Sequence, residues 1–242
     1  MGNLDARVQA AVRHFWLSRS TQVRDQVERS VIDQGARSAV TGGKQMDGFV
    51  NIVRDILHAC GISNEEVFYN SHLELPGYYR PEKQWDVLVV ADSKLIATIE
   101  FKSQSTSFGN NFNNRVEESV GSATDLWTAY REGAIPTTPK PWLGYLMLLV
   151  DCEESTRPVS VREPHFEVFP EFKRASYAER YRILLSKLMR ERLYDATCFL
   201  TTPEEGGDRG VYSEPDPDLS FRYFAGSLQG HVTAFQQVRS ST

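Results

Sequence analysis

Three side chains near the middle of the chain have the types and spacing for hydrolytic chemistry: Asp86, Glu100 and Lys102. Trp85-Asp86-Val87-Leu88-Val89-Val90 and Lys94-Leu95-Ile96-Ala97-Thr98-Ile99-Glu100-Phe101-Lys102-Ser103-Gln104 are runs rich in Val and Ile. Ala91-Asp92-Ser93 divides them, so the stretch reads as a β-hairpin. Side chains alternate along a strand, which puts Glu100 and Lys102 on one face. Antiparallel pairing lays the start of the first strand beside the end of the second, bringing Asp86 to them. Two carboxylates that close repel unless a cation sits between them. Mg²⁺ takes oxygen ligands, often only one or two carboxylates, and keeps its other positions for water and phosphate oxygens. A lysine alongside can orient or deprotonate an attacking water, or stabilise a phosphorane-like transition state. The chemistry implied is metal-assisted phosphodiester hydrolysis. On these letters alone a plainer reading stays open, in which Asp86 is a turn residue and Glu-x-Lys a chance ion pair.

The elements around the hairpin follow from periodicity. Leu4, Val8, Ala11, Val12, Phe15 and Trp16 predict an amphipathic helix over 4–17. Residues 20–43 are polar, apart from a short helix predicted near 23–31, and Gly42-Gly43 punctuates them. Glu28 lies here, a further metal-site acid or, more simply, a solvated helix residue. Asp47 reads as the N-cap of a helix over 48–59 that Gly61 ends, and it too is open as a metal-site acid. Residues 67–75 predict a first strand. Gly77-Tyr78-Tyr79-Arg80-Pro81 is a loop whose rings and guanidinium would touch a phosphate backbone, or simply pack the loop down.

Residues 103–115 read as an amide-rich loop leading into a helix. Gln104, Asn110, Asn111, Asn113, Asn114 and Arg115, with Arg80, are candidate DNA contacts, since amides read adenine edges and Arg reads guanine or phosphate. Turn and cap chemistry uses the same residues, but four Asn in five positions exceed what one cap needs. Beyond them Val116, Val120, Ala123, Leu126, Trp127 and Tyr130 form a helical stripe. Residues 142–150 are a continuous apolar run, as a buried central strand requires. A helix over 177–193, a strand over 196–201 and a helix over 221–238 complete the chain.

The 242 residues, 40% hydrophobic and 24% charged, suffice for one α/β domain with a substantial core. The reading divides 1–242, a single nuclease domain, into an N-terminal helical extension (1–45), a catalytic core (46–151), and C-terminal helices with an acidic loop (152–242). No run is long enough to span a membrane, no signal-peptide pattern opens the chain, and Cys60, Cys152 and Cys198 form no C-x-x-C, so a reducing cytoplasm is expected. The histidines form no zinc-binding pattern. A net charge of −5 argues against a nucleic-acid partner. However, residues 204–218 hold six acids against Arg209 alone, while 157–192 and 1–45 are moderately basic, so the surface could be polarised.

Asp86 followed by Glu100-x-Lys102, on a hairpin within an αβββαβ order, resembles the PD-(D/E)xK nuclease superfamily, with Trp85 in place of the motif's proline. The closer resemblance is to the XhoI-type Type II restriction endonucleases. It is carried by Gly42-Gly43 with Met46-Asp47-Gly48-Phe49, by Leu75-Pro76-Gly77-Tyr78-Tyr79-Arg80-Pro81, and by Trp85-Asp86-Val87-Leu88-Val89. Ser107-Phe108-Gly109-Asn110-Asn111-Phe112-Asn113-Asn114-Arg115, Val168-Phe169-Pro170 and Ala175-Ser176-Tyr177 add to it, over roughly residues 14–190.

The resemblance implies a mixed central sheet flanked by helices, with Asp86 and Glu100 binding Mg²⁺ and Lys102 orienting the water. It implies a homodimer acting on double-stranded DNA at CTCGAG, cutting after the first C to leave four-base 5′ overhangs, and a cognate DNA methyltransferase. Other readings are a repair or junction-resolving nuclease of the same fold, a non-cleaving DNA-binding protein using Arg80 and the amides, and an interaction domain with a plain ion-pair cluster.

Overall fold

The computed structural model describes residues 3–30, 44–136 and 139–241. Its centre is a five-stranded sheet in the order β1-β4-β5-β6-β7. These strands are Val67–Phe68, Val87–Ala91, Lys94–Gln104, Trp142–Asp151 and Ala196–Pro203. β1, β4 and β5 pair antiparallel, whereas β5, β6 and β7 run parallel, so the sheet is mixed. The helix α3 (Phe108–Arg131) makes the crossover from β5 to β6, and the short α4 (Glu153–Thr156) and α5 (Tyr177–Arg190) lie between β6 and β7.

Apolar side chains of the sheet divide between two cores. Val87, Val89, Ile99, Leu146 and Leu148 face α1 (Leu4–Ser30), α2 (Asp47–Ala59) and α6 (Phe221–Arg239). Leu88, Leu143, Tyr145, Met147 and Phe199 face α3 and α5. Every residue of β6 except Asp151 is buried, as expected of a strand covered on both faces. Among the described residues no helix is long and apolar enough to cross a membrane.

The local causes are plain in several places. Phe49, Ile52, Val53, Ile56 and Leu57 recur at helical spacing and are all buried, which fixes α2. Gly61, at φ +86°, ends it. Its N–H donates to the His58 carbonyl and that of Ile62 to the Leu57 carbonyl, the double closure typical of a left-handed C-terminal residue. Asp92 and Ser93, at φ +51° and +58°, form the two-residue turn between β4 and β5, a twist that suits a hairpin. Ser176 and Glu179 cap α5 reciprocally, at 3.2 and 2.6 Å.

Four expectations need correction. The first helix does not stop at residue 17 but runs to Ser30. Its second half is rich in Arg, Gln and Glu, good helix formers that need no apolar stripe. The side chain of Glu28 and the pair Gly42-Gly43 lie outside the described residues. The strand expected over 67–75 is broken, because His72 takes φ +57° between two separate pieces. Only Val67–Phe68 joins the main sheet; Glu74–Pro76 (β2) pairs instead with Glu82–Gln84 (β3) as a two-stranded ribbon.

The amide-rich loop is helix from Phe108 onward. Asn is a poor helix former, but Phe108, Phe112 and Ser119 bury one face and outweigh that preference. Asp47 is not the N-cap: it is the first residue of α2, and Met46 occupies the cap position. Burial raises the pKa of Asp47 against the opposing charges of His14 and Lys44.

Candidate active site

The register of the hairpin assembles the site. Val87 pairs with Ile99, which sets Asp86 beside Glu100 at the open end of β4. The Asp86 N–H donates to the Ile99 carbonyl at 3.3 Å, and Asp86 Oδ2 accepts from the Phe101 N–H at 2.7 Å. Glu100 and Lys102, two apart on β5, form an ion pair through Glu100 Oε1. The α3–α5 face carries both, because their partners across the parallel ladder are Tyr145 and Met147, members of that core.

A fourth group joins them. Lys83 on β3 places its Nζ 2.8 Å from Glu100 Oε2, donates to the Gln84 carbonyl at 2.9 Å, and lies 4.1 Å from the centre of the Trp85 ring. No pattern of residues points to it. Lys83 reaches Glu100 only because β2 and β3 fold back as a ribbon, a pairing of short, exposed strands with no periodic signature. Trp85, in the position of the motif's proline, is buried, and its N–H donates to the Leu73 carbonyl at 3.0 Å.

The electrostatics follow from burial and proximity. Burial, then the negative charge of Glu100, pushes Asp86 up to about 6. Burial alone would raise Glu100 as well, but Lys102 and Lys83 outweigh it and hold its carboxyl below the ordinary value. Lys102 is disfavoured as a cation by burial, yet Glu100 and Asp86 more than compensate, so its pKa is raised. Burial, then Glu100, keeps the Tyr145 phenol protonated. Its hydroxyl is buried with no hydrogen-bond partner among the described residues.

Glu100 and both lysines open into a cleft of about 610 Å³ that Arg80, Arg115 and Asp125 also line. Asp125, buried on α3, accepts from the Tyr78 and Tyr79 N–H groups at 2.8 Å each and from Arg80 Nε at 2.6 Å. This fixes the turn between β2 and β3 over the cleft and leaves the two tyrosine rings exposed, 53% for Tyr78 and 71% for Tyr79. Gly77 is required there, since a Cβ would come within 2.6 Å of the Arg80 carbonyl oxygen and 2.7 Å of Asp125 Oδ2.

The candidate DNA contacts separate into groups. Asn110, Asn113 and Asn114 are exposed on one face of the first turns of α3. Asn111 is half-buried and donates to the Thr106 carbonyl at 3.3 Å. Arg115 lines the cleft and is ion-paired with Glu118. Arg80 spends its guanidinium on Asp125. Gln104 is buried, accepting from the Tyr181 hydroxyl and donating to the Thr106 carbonyl at 3.3 Å, so it belongs to the core and not to a DNA-facing surface.

The donor set is one that suits a hard divalent cation. It offers two carboxylates, one of them raised by burial and then by the other's charge, beside an open cleft that leaves room for water and phosphate oxygens. Among the described residues no group of three or more His, Cys, Asp or Glu gathers, so the carboxylates here are a pair and any further ligands would be water or phosphate oxygens.

Residues 25–214 match the family described as restriction endonuclease XhoI. The Type II restriction enzyme BstVI of Geobacillus stearothermophilus is 53% identical over 216 residues, which cover 87% of this chain and 96% of that protein. The Type II restriction enzyme XhoI of Xanthomonas vasicola is 46% identical over 192 residues, 78% of this chain and 77% of that protein. The Type II restriction enzyme AbrI of Azospirillum brasilense is 45% identical over 168 residues, 69% and 75% of the two chains. No solved structure matches the chain significantly. The family match runs past residue 190, where the recognisable blocks of sequence end, through β7 and into the acidic loop.

These likenesses, on a five-stranded mixed sheet flanked by helices, make the protein a nuclease of the Type II restriction class. The chain belongs to the XhoI restriction endonuclease family.

Proposed function

We propose that this chain is a Mg²⁺-dependent endonuclease with a PD-(D/E)xK core. It cuts both strands of double-stranded DNA at the palindrome CTCGAG, after the first C, leaving four-base 5′ overhangs. It acts as a homodimer and is paired in its host with a methyltransferase that protects the same sequence. The observation that carries this reading is the meeting of Asp86, Glu100 and Lys102, of which Glu100 and Lys102 line one cleft and Asp86 lies behind them. The family likeness supplies the target sequence.

Asp86 and Glu100 would hold the cation, which supplies positive charge to the scissile phosphate and acidity to a water. The chain's own residues do the rest. The Phe101 N–H fixes one oxygen of Asp86 and so aims the carboxylate. Lys102, held protonated by the two acids, orients the attacking water and neutralises charge as it builds on the phosphorus-bound oxygens. It is therefore a poor proton acceptor in this setting. The water oxygen bonds to phosphorus in line with the departing 3′ oxygen and gives up a proton to solvent, the P–O3′ bond breaks, and O3′ takes a proton from solvent, leaving a 5′ phosphate and a 3′ hydroxyl.

The test is digestion of a plasmid carrying one CTCGAG, with and without Mg²⁺, followed by sequencing of the ends. One cut per site with 5′-TCGA overhangs is expected. Cutting that follows branched or damaged structure in place of sequence would support a repair or junction-resolving nuclease instead. Binding without cutting in Mg²⁺ would mark a silent DNA-binding protein. Lys102→Ala is expected to lower cleavage at least about a hundredfold while leaving specific binding measurable in a gel-shift assay. Cleavage at the parental rate by Lys102→Ala would refute the site assignment.

A further inference from the structure

Glu100 is 7% exposed and both its carboxylate oxygens are occupied, Oε1 by Lys102 and Oε2 by Lys83 at 2.8 Å. Lys83 is not a passing surface lysine. Its side chain is only 14% exposed, and its ammonium is held by a carboxylate, a backbone carbonyl and the face of an indole. It also reaches Glu100 from the β2–β3 ribbon, an element separate from the sheet that carries the other three groups.

The charges therefore balance: two carboxylates, Asp86 and Glu100, against two ammoniums, Lys83 and Lys102. A divalent cation entering a neutral cluster gains little Coulombic energy, and to reach Glu100 it must displace an ammonium. A phosphodiester brings the negative charge that offsets the cation. Lys83 lines the cleft where that phosphate would lie, so a displaced Nζ has a partner at hand.

We propose that Lys83 is a positioning residue that occupies Glu100 until cation and DNA phosphate arrive together, and so couples cation binding to DNA binding. The inference rests on reading Asp86 and Glu100 as the cation-holding pair. It goes beyond that reading in giving the site a gate that keeps divalent ions weakly bound when DNA is absent.

The experiment is isothermal titration with Mg²⁺ and with Ca²⁺ at pH 8, without DNA, on the parent, Lys83→Gln, Lys83→Met and Lys83→Arg, each checked for native circular dichroism. Removing one positive charge near a divalent ion is expected to tighten binding roughly tenfold or more in the Gln and Met variants. The Arg variant keeps the charge and is expected to stay near the parent.

Repeating the Ca²⁺ titration with a CTCGAG duplex should show much tighter binding in the parent, and a smaller gain from DNA in Lys83→Gln. General structural damage would weaken cation binding, not strengthen it. Unchanged or weaker binding in whichever of the Gln and Met variants folds would overturn the proposal. If the parent binds a cation with DNA, and Asp86→Asn abolishes this while Lys83→Gln leaves both affinities alone, the gate fails and the site reading stands. A parent that binds no divalent cation even with DNA sinks both.

Discussion

Asp86 shows what the site costs the fold. Its carboxylate is ionised at neutral pH although burial and Glu100 raise its pKa from the ordinary 3.8 to about 6. A carboxyl with a raised folded-state pKa favours folding when protonated and opposes it when ionised. The penalty is absent below the unfolded value, grows between 3.8 and about 6, and is complete above that. The gap corresponds to about 3 kcal/mol. Asp86→Asn keeps an oxygen for the Phe101 N–H and removes the charge. The metal-free variant is therefore expected to be more stable than the parent at pH 8, by about 1–3 kcal/mol, with the advantage closing near pH 4. Urea melts in EDTA at both pH values measure this. An advantage that grows as the pH falls would contradict the argument.

At the scale of elements, the turn between β2 and β3 depends on one residue of α3. Asp125 gathers two backbone N–H groups and a guanidinium, and those bonds hold its carboxyl below the ordinary range against the opposing effect of burial. Asp125→Ala is expected to cost about 1–3 kcal/mol and to speed hydrogen exchange at the Tyr78 and Tyr79 amides. Cleavage should fall as well, since Tyr79 and Arg80 lose their anchor at the cleft and the ribbon that carries Lys83 loosens. Asp125→Asn keeps one acceptor oxygen and should lie between. Parental exchange at both amides in the Ala variant would show that the ribbon holds itself.

This ribbon also marks where reading the sequence stops. α2 and α5 are legible because burial writes a period of 3.6 into their letters, and the β4–β5 hairpin and β6 because covered strands are apolar runs bounded by turn residues. β2 and β3 are three residues each and only half-buried at their centres, so burial writes no period there. Asp86, Glu100 and Lys102 could be placed from the hairpin alone. Lys83 and Asp125 could not, because each acquires its partner from an element distant in sequence. Gln104 misled for the opposite reason: an amide that looks suited to bases is spent on Tyr181 inside the core. In α3, amide content argued for a loop, but burial of Phe108 and Phe112, one turn apart, makes it helix.

Across the whole molecule the net charge of −5 argues against a DNA partner until the acids are located. In the acidic loop Glu214 Oε1 accepts the Phe221 N–H at 2.7 Å and so caps α6, while Asp216 accepts the Asp218 N–H at 3.0 Å and pairs with Arg182 at 3.4 Å. Two of the loop's six acids are thus committed to holding the chain's last turns, and the cleft sets Arg80, Lys83, Lys102 and Arg115 against Glu100, Glu117, Glu118 and Asp125. Among the described residues one chain carries one such assembly of Asp86, Glu100 and Lys102, which on the proposed mechanism breaks one phosphodiester. A cut through both strands of a palindrome then needs two copies related by a two-fold axis. Mixed dimers test this directly. Co-expressed parent and Lys102→Ala chains with different affinity tags, purified through both tags, would hold one competent site per dimer. Such dimers are expected to convert supercoiled plasmid to open circles and stall there, while the parent runs on to linear product. Linear product at the parental rate from the doubly purified species would mean that one chain cuts both strands, and the proposed dimer would have to be abandoned.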